Sequence, residues 1–168
     1  IPLETKTDTR FSYCNTNYAM LALVIEKITG LKYAEAMKEM IFVPLGMTNT
    51  FVFDINNDRD KIAPSYKGTM EIGIDYLDGI YGDKNIYSTP KDLLKWDQAL
   101  FANQLISKQL MDSAFAPSII HINDSLSSKH NYGLGFRLMI NQNLKKIVYH
   151  FGRWHGFNAA YSRLIDEE

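Results

Sequence analysis

Two short segments carry side chains suited to chemistry. Tyr13-Cys14-Asn15 stands just before a helix-like run, and His150-Phe151-Gly152 lies on a strand-like run that continues into Arg153-Trp154-His155-Gly156-Phe157. Acyl transfer from an amide or ester needs a nucleophile, a base, an oxyanion site and a group that orients the substrate. An isolated phenol, with a pKa of about 10, is a poor base at neutral pH unless a cation lies beside it. An asparagine side chain both donates and accepts. A histidine donates without a permanent charge, and a glycine admits close backbone approach. Each residue also has a plainer reading: Tyr13 as a half-buried tyrosine, Asn15 as a helix cap, Cys14 as a buried structural thiol. His150 and His155 show no third ligand at a metal-site spacing, so no metal or cofactor is expected. His121 and His130 read as loop histidines, and Tyr76, Tyr81 and Tyr87 as packing.

The elements that must position these groups follow from periodicity. Leu21, Val24, Ile25 and Ile28 recur at helical spacing, with Asn15 or Asn17 available as a cap and Gly30 at the C-terminal end. Met20 and Leu23 widen the apolar stripe, which predicts a deeply buried helix. Residues 33–41 read as a second helix ended by Pro44 and Gly46, and residues 51–53 as a short strand. Residues 54–83 lack a clear period and read as a long irregular stretch of the kind that is often functional. Thr89-Pro90-Lys91-Asp92 is a helix start, with a hydroxyl cap, a first-turn proline and an early acid. Ser107 opens another helix that stops before Pro117, and residues 119–129 read as a loop. Three strands follow, at 132–140, 146–151 and 158–165, with a turn at Asn141-Gln142-Asn143. Helices first and closely spaced strands later predict an α+β fold with an antiparallel meander. The expected division is a mainly helical lobe over residues 1–130 and the meander over 131–168, as one incomplete catalytic domain.

Composition narrows the function class. The chain has 168 residues, a formal net charge of -1, 46% hydrophobic and 22% charged residues, and a single cysteine. These values suit a globular domain, show no basic stripe for nucleic acid, and rule out an intrachain disulfide. No apolar run approaches the roughly 20 residues of a membrane span. The chain opens on Ile1 and stops at Asp166-Glu167-Glu168 directly after a strand-like run, and three strands are few to stand with both edges open. A piece of a longer protein is the expectation.

The ordered set of motifs resembles the serine β-lactamase and penicillin-binding protein family, in its class C β-lactamase-like and D-Ala-D-Ala carboxypeptidase/esterase-like branch. Phe11-Ser12-Tyr13-Cys14-Asn15-Thr16-Asn17-Tyr18 is similar to the family's Tyr-x-Asn segment. Glu26-Lys27-Ile28-Thr29-Gly30 and Ile41-Phe42-Val43-Pro44-Leu45-Gly46-Met47 resemble the helix and Pro-Leu-Gly-Met turn that follow it. Gly82-Asp83-Lys84-Asn85-Ile86-Tyr87-Ser88-Thr89, then Asp92-Leu93, resembles the glycine-rich loop and next helix. His150-Phe151-Gly152 stands where many members have His-x-Gly or Lys-Thr-Gly. The resemblance spans residues 11–157. It implies a β-lactamase/transpeptidase-like fold, here partial, and a serine hydrolase or acyl-transferase acting through an acyl-serine on peptides, β-lactams or esters.

What the resemblance implies for single residues is specific. Tyr13 is the partner in proton transfer, dependent on the family's Ser-x-x-Lys lysine. Asn15 orients the substrate amide, and His150 faces the substrate's carboxylate or polar end. Gly152 lets the backbone approach, and the N–H of Arg153 is the second oxyanion donor. Cys14 in place of serine, Lys84-Asn85 in place of Gly-Gly and Arg153 in place of glycine depart from the pattern. Ser88-Thr89-Pro90-Lys91 matches Ser-x-x-Lys by letter but follows Tyr-x-Asn, so it reads as helix capping. The nucleophile is then expected upstream of Ile1, with this segment inactive alone. The resemblance also implies a periplasmic or extracellular setting, no cofactor, and a small-molecule substrate, while exposed fragment edges suggest a homodimer. The competing reading is a non-catalytic ligand-binding or regulatory domain that keeps the same cleft.

Overall fold

The computed structural model describes residues 5–7, 9, 11–117, 130–140 and 145–165. The loop expected at 119–129, with His121, and the turn at 141–143 lie outside the described residues. The chain divides into two units of contact. One comprises Ile1–Tyr13, Ser107–Arg153 and Asn158–Glu168, the other Cys14–Ile106 and Trp154–Phe157.

In the second unit, α1 (Asn15–Thr29) stops at Gly30, whose φ of 72° is the left-handed conformation glycine adopts without penalty and whose N–H donates to the Glu26 carbonyl. Cys14 is the N-cap and makes no side-chain capping bond, so Asn15 and Asn17 lie inside the helix and neither caps it as expected. α2 (Tyr33–Met37) runs into a π-helical turn, Lys38–Phe42. The Glu26 carboxylate accepts the Tyr33 N–H at 2.8 Å and the Tyr81 hydroxyl at 3.0 Å, tying α1 to the start of α2. Ala22, Tyr33, Phe42, Met47 and Val52 form the core. The expectation of a deeply buried α1 fails. Ala22 alone of the helix is buried, while Met20, Leu21, Leu23, Val24 and Ile28 are 45–80% exposed. The helix is apolar around most of its circumference, but α2 and the core meet only one side of it.

Further along this unit, β1 (Phe51–Val52) pairs antiparallel with β4 (Ile86–Tyr87). The stretch expected to be irregular contains a hairpin, β2 (Ser65–Lys67) with β3 (Met70–Ile72), turning through Gly68 at φ 63°. α3 (Pro90–Phe101) starts as its sequence dictates: the Thr89 hydroxyl accepts the Asp92 N–H, and Pro90 sits in the first turn. Asp92, 1% exposed, accepts from the Asn49 N–H, the Thr50 hydroxyl and Lys95. The Lys95 hydrogen bond, with those from Asn49 and Thr50, outweighs burial and holds this carboxyl below its ordinary range.

The first unit contains α4 (Lys108–Ala114), capped by Ser107, and most of a four-stranded sheet ordered β5 (His130–Tyr132), β6 (Arg137–Ile140), β7 (Lys146–Trp154), β8 (Phe157–Leu164). The single strand expected over 132–140 is instead β5, a turn and β6, paired antiparallel. The reason is the end of α4. The Ala114 carbonyl accepts the Leu134 N–H at 2.8 Å, and a Cβ on Gly133 would fall 2.1 Å from that same oxygen. Pairing of Arg137 with Tyr149 and Leu138 with Val148 sets the β6–β7 register, with Val148 fully buried. The β7–β8 turn, His155-Gly156, belongs to the second unit. There the Gly156 N–H donates to Ser65 Oγ at 2.8 Å, and a Cβ on Gly156 would strike the Tyr66 carbonyl at 2.1 Å.

Candidate functional site

Tyr13, Tyr132, Arg137 and His150 assemble in the first unit. Tyr13 ends the segment ahead of α1, Tyr132 lies on β5, Arg137 on β6 and His150 on β7. The Tyr13 and His150 rings are 6.3 Å apart between centroids, and Tyr132 is 6.1 Å from Tyr13 and 6.2 Å from His150. The Tyr132 hydroxyl lies 3.1 Å from His150 Nε2. The Arg137 guanidinium stands 5.8 Å from the centres of both tyrosine rings, within cation–π range. Tyr13 is 47% exposed and Tyr132 7%, so the phenol at the surface is the one near Asn15 in sequence. Burial pushes the His150 imidazole below its ordinary pKa and the Arg137 charge adds to this, while a backbone hydrogen bond at Phe151 pulls the other way. Sequence reasoning named Tyr13 and His150 as candidates but not Tyr132 and Arg137, which the structure brings beside them. Their signal, a tyrosine and an arginine flanking Gly-Leu-Gly-Phe, acquires meaning only once the strand divides there.

The remaining expected residues are placed as follows. Asn15 is exposed in the first turn of α1. Gly152 and Arg153 are exposed on β7 just after His150, and a Cβ at Gly152 would meet Ala159 at an ordinary 3.7 Å. Packing therefore makes no demand for glycine at that position. Cys14 is a partly buried free thiol. The Ser88 hydroxyl is 2.7 Å from the Thr50 hydroxyl, ahead of the Thr89 cap, consistent with helix-start chemistry.

A second cluster surrounds the hairpin tip in the other unit. Asp78, 4% exposed, accepts from Trp154 Nε1 at 2.5 Å and from the Asp75 N–H at 2.8 Å, and both its oxygens lie 3.2 Å from His155 Nε2. Burial pushes this carboxyl up, but the bonds from Trp154, Asp75 and His155 outweigh it and hold the carboxyl below its ordinary value. His155 takes a positive φ of 49°, a strained conformation that these bonds help to hold. Asp75, Asp78 and His155 offer ligand atoms within 4.8 Å of one another, so His155 groups with two acids and not with His150. The Asp78 oxygens are already engaged, which makes the cluster an anchor for the tip. Beside it lies an open cavity of about 240 Å³, walled by Phe53, Ile72, Tyr87 and Phe157 with Asp78 and His155.

Comparison with known proteins shows the family and the fold. A protein-family model described as Beta-lactamase matches residues 1–166. Penicillin-binding protein 4* of Bacillus subtilis (strain 168) is 33% identical over 172 residues, covering 92% of this chain and 37% of that protein. Teichoic acid D-alanine hydrolase of Staphylococcus aureus is 33% identical over 97 residues, covering 55% of this chain and 24% of that protein. The octameric penicillin-binding protein homologue from Pyrococcus abyssi superposes with a TM-score of 0.80 at 26% identity, covering 95% of this chain and 37% of the other. The chain thus spans well under half the length of these relatives.

Proposed function

Because this chain belongs to the beta-lactamase family and shares its fold, we propose that it forms part of a serine acyl-transferase or hydrolase that works outside the cytoplasm through an acyl-serine. The observation that carries this reading is the approach of the Tyr13 and His150 rings to 6.3 Å, with Arg137 beside them. Had the phenol and the imidazole lain on opposite sides of the sheet, the assignment would fail.

Tyr13 is the proton-transfer partner of a serine carried by the part of the protein that this chain does not span. A Ser-x-x-Lys lysine beside it would supply the cation that such a phenol needs. Asn15 orients the substrate amide. His150, neutral near pH 7 by virtue of its burial, borders the substrate's polar end. Gly152 keeps the strand open to the substrate, and the Arg153 N–H serves as an oxyanion donor. Two relatives suggest the substrate range: one is called a penicillin-binding protein and another a D-alanine hydrolase. Peptides, β-lactams or esters with a D-alanyl-like acyl group fit that range. Alone, the chain is inactive, and its exposed α1 face and sheet edges favour self-association as a dimer.

The test is mass spectrometry after incubation with a fluorescent penicillin. The whole protein acquires one adduct upstream of Tyr13, and the present chain acquires none. Tyr13→Phe or Asn15→Ala in the whole protein slows acylation by about a hundredfold or more. An adduct on Ser88, or a whole protein with no Ser-x-x-Lys ahead of Tyr13, overturns the assignment and leaves a ligand-binding domain.

A further inference from the structure

Tyr132 has no part in the reaction outlined above, yet it is among the most buried polar side chains near His150. We infer that Tyr132 is a positioning residue whose hydroxyl donates to Nε2 of His150 and holds the imidazole as the Nδ1–H tautomer, with that proton directed to the backbone of Phe151. Its catalytic consequence rests on the proposed function; its geometry does not.

The argument is one of donors and acceptors. A neutral imidazole has one N–H and one lone pair. A backbone hydrogen bond at Phe151 favours the protonated ring, as a ring N–H donor does. Nε2 lies 3.1 Å from the Tyr132 hydroxyl, a contact in which Nε2 accepts when the single proton of the neutral ring is on Nδ1. A phenol supplies that proton from a side chain only 7% exposed. The alternative, an imidazolium donating from both nitrogens, is opposed by burial and by Arg137. Among the described residues, the titratable and charged groups facing the ring are Tyr13 from the segment before α1, Tyr132 from β5 and Arg137 from β6.

Both ring nitrogens are then engaged. His150 is a neutral, fixed wall of the cleft and does not shuttle protons. That narrows proton transfer to Tyr13 and its cation. It also means that the hydrogen bond from β5, and not β7 alone, sets the orientation of the ring that substrate meets.

The experiment is a long-range proton–nitrogen correlation spectrum of the ¹⁵N-labelled chain, followed through pH, with the His150 signals assigned by their loss in His150→Gln. The native chain is expected to show His150 protonated at Nδ1 with a hydrogen-bonded Nε2 lone pair. In Tyr132→Phe the neutral ring loses its donor, so the titration midpoint rises and the two tautomers interconvert. In Arg137→Gln the midpoint also rises, because a repelling charge is gone, but the Nδ1–H tautomer persists. A native ring protonated at Nε2 overturns the inference before any variant is made. So does a Tyr132→Phe chain that folds with tautomer and midpoint unchanged. None of these readings needs turnover: a whole protein that fails to form an acyl-enzyme defeats the acyl-transfer assignment and leaves this one standing.

Discussion

At the scale of the residue, Gly152 separates folding from function. Its backbone needs no positive φ, and a methyl group there meets only Ala159 at van der Waals distance. Gly152→Ala should therefore leave the denaturant midpoint of this chain unchanged, within about 0.5 kcal/mol. If Gly152 borders the substrate as proposed, the same change in the whole protein should slow acylation at least tenfold. Equal acylation rates would remove Gly152 from the site. Asp92 makes the opposite kind of prediction. Its folded carboxyl is held below the ordinary value, so its contribution is fully present at neutral pH, above the unfolded value of about 4. That contribution is lost as pH falls through the depressed folded value. Asp92→Asn should lower the melting temperature at pH 7 and flatten its decline between pH 5 and pH 3. A variant that keeps the native slope would show that Asp92 is not a source of acid sensitivity.

At the scale of the element, the junction between α4 and the β5–β6 turn is the point most sensitive to a single methyl group. A Cβ at Gly133 would sit 2.1 Å from the Ala114 carbonyl, which also accepts the Leu134 N–H. Gly133→Ala should cost about 1–3 kcal/mol by forcing the strand away from the helix end. Amide exchange in β5 and β6 should rise with it, and unaltered exchange protection across those strands would refute the account. The same junction explains a misreading. Residues 132–140 look like one strand because Tyr132, Leu134, Phe136, Leu138 and Ile140 alternate with smaller or polar residues. The division at Gly133-Leu134 comes from a carbonyl nearly twenty residues earlier in the chain, which no local period encodes. The hairpin β2–β3 was hidden for a related reason: its strands of three residues are too short to show alternation.

At the scale of the whole molecule, α1 presents Met20, Leu21, Leu23, Val24 and Ile28 to solvent, and among the described residues β5 and β8 are the outer strands of the sheet. Exposed apolar surface and open edges favour association. Size-exclusion chromatography with light scattering should give a mass above 19.3 kDa that grows with concentration. Replacing Leu21, Val24 and Ile28 together with lysine should shift the chain toward monomer. A native chain that is monomeric at every concentration would refute the dimer proposal.

Much of this protein is present in its sequence because the determinants are local. Gly30 after a helical period, Thr89-Pro90 before one, and Ser107 ahead of α4 all place element ends where the structure has them. The ordered motifs around Tyr13-Cys14-Asn15 and His150-Phe151-Gly152 announced the family for the same reason: side-chain chemistry at set spacing is written along the chain. Tertiary structure alone decided which faces are covered and which groups meet. The apolar period of α1 reports how much of the helix dislikes water, not how much of it finds a partner, so burial was overestimated. Tyr132 and Arg137 reach Tyr13 and His150 only through strand register, a pairing of residues distant in sequence whose energy no local segment contains.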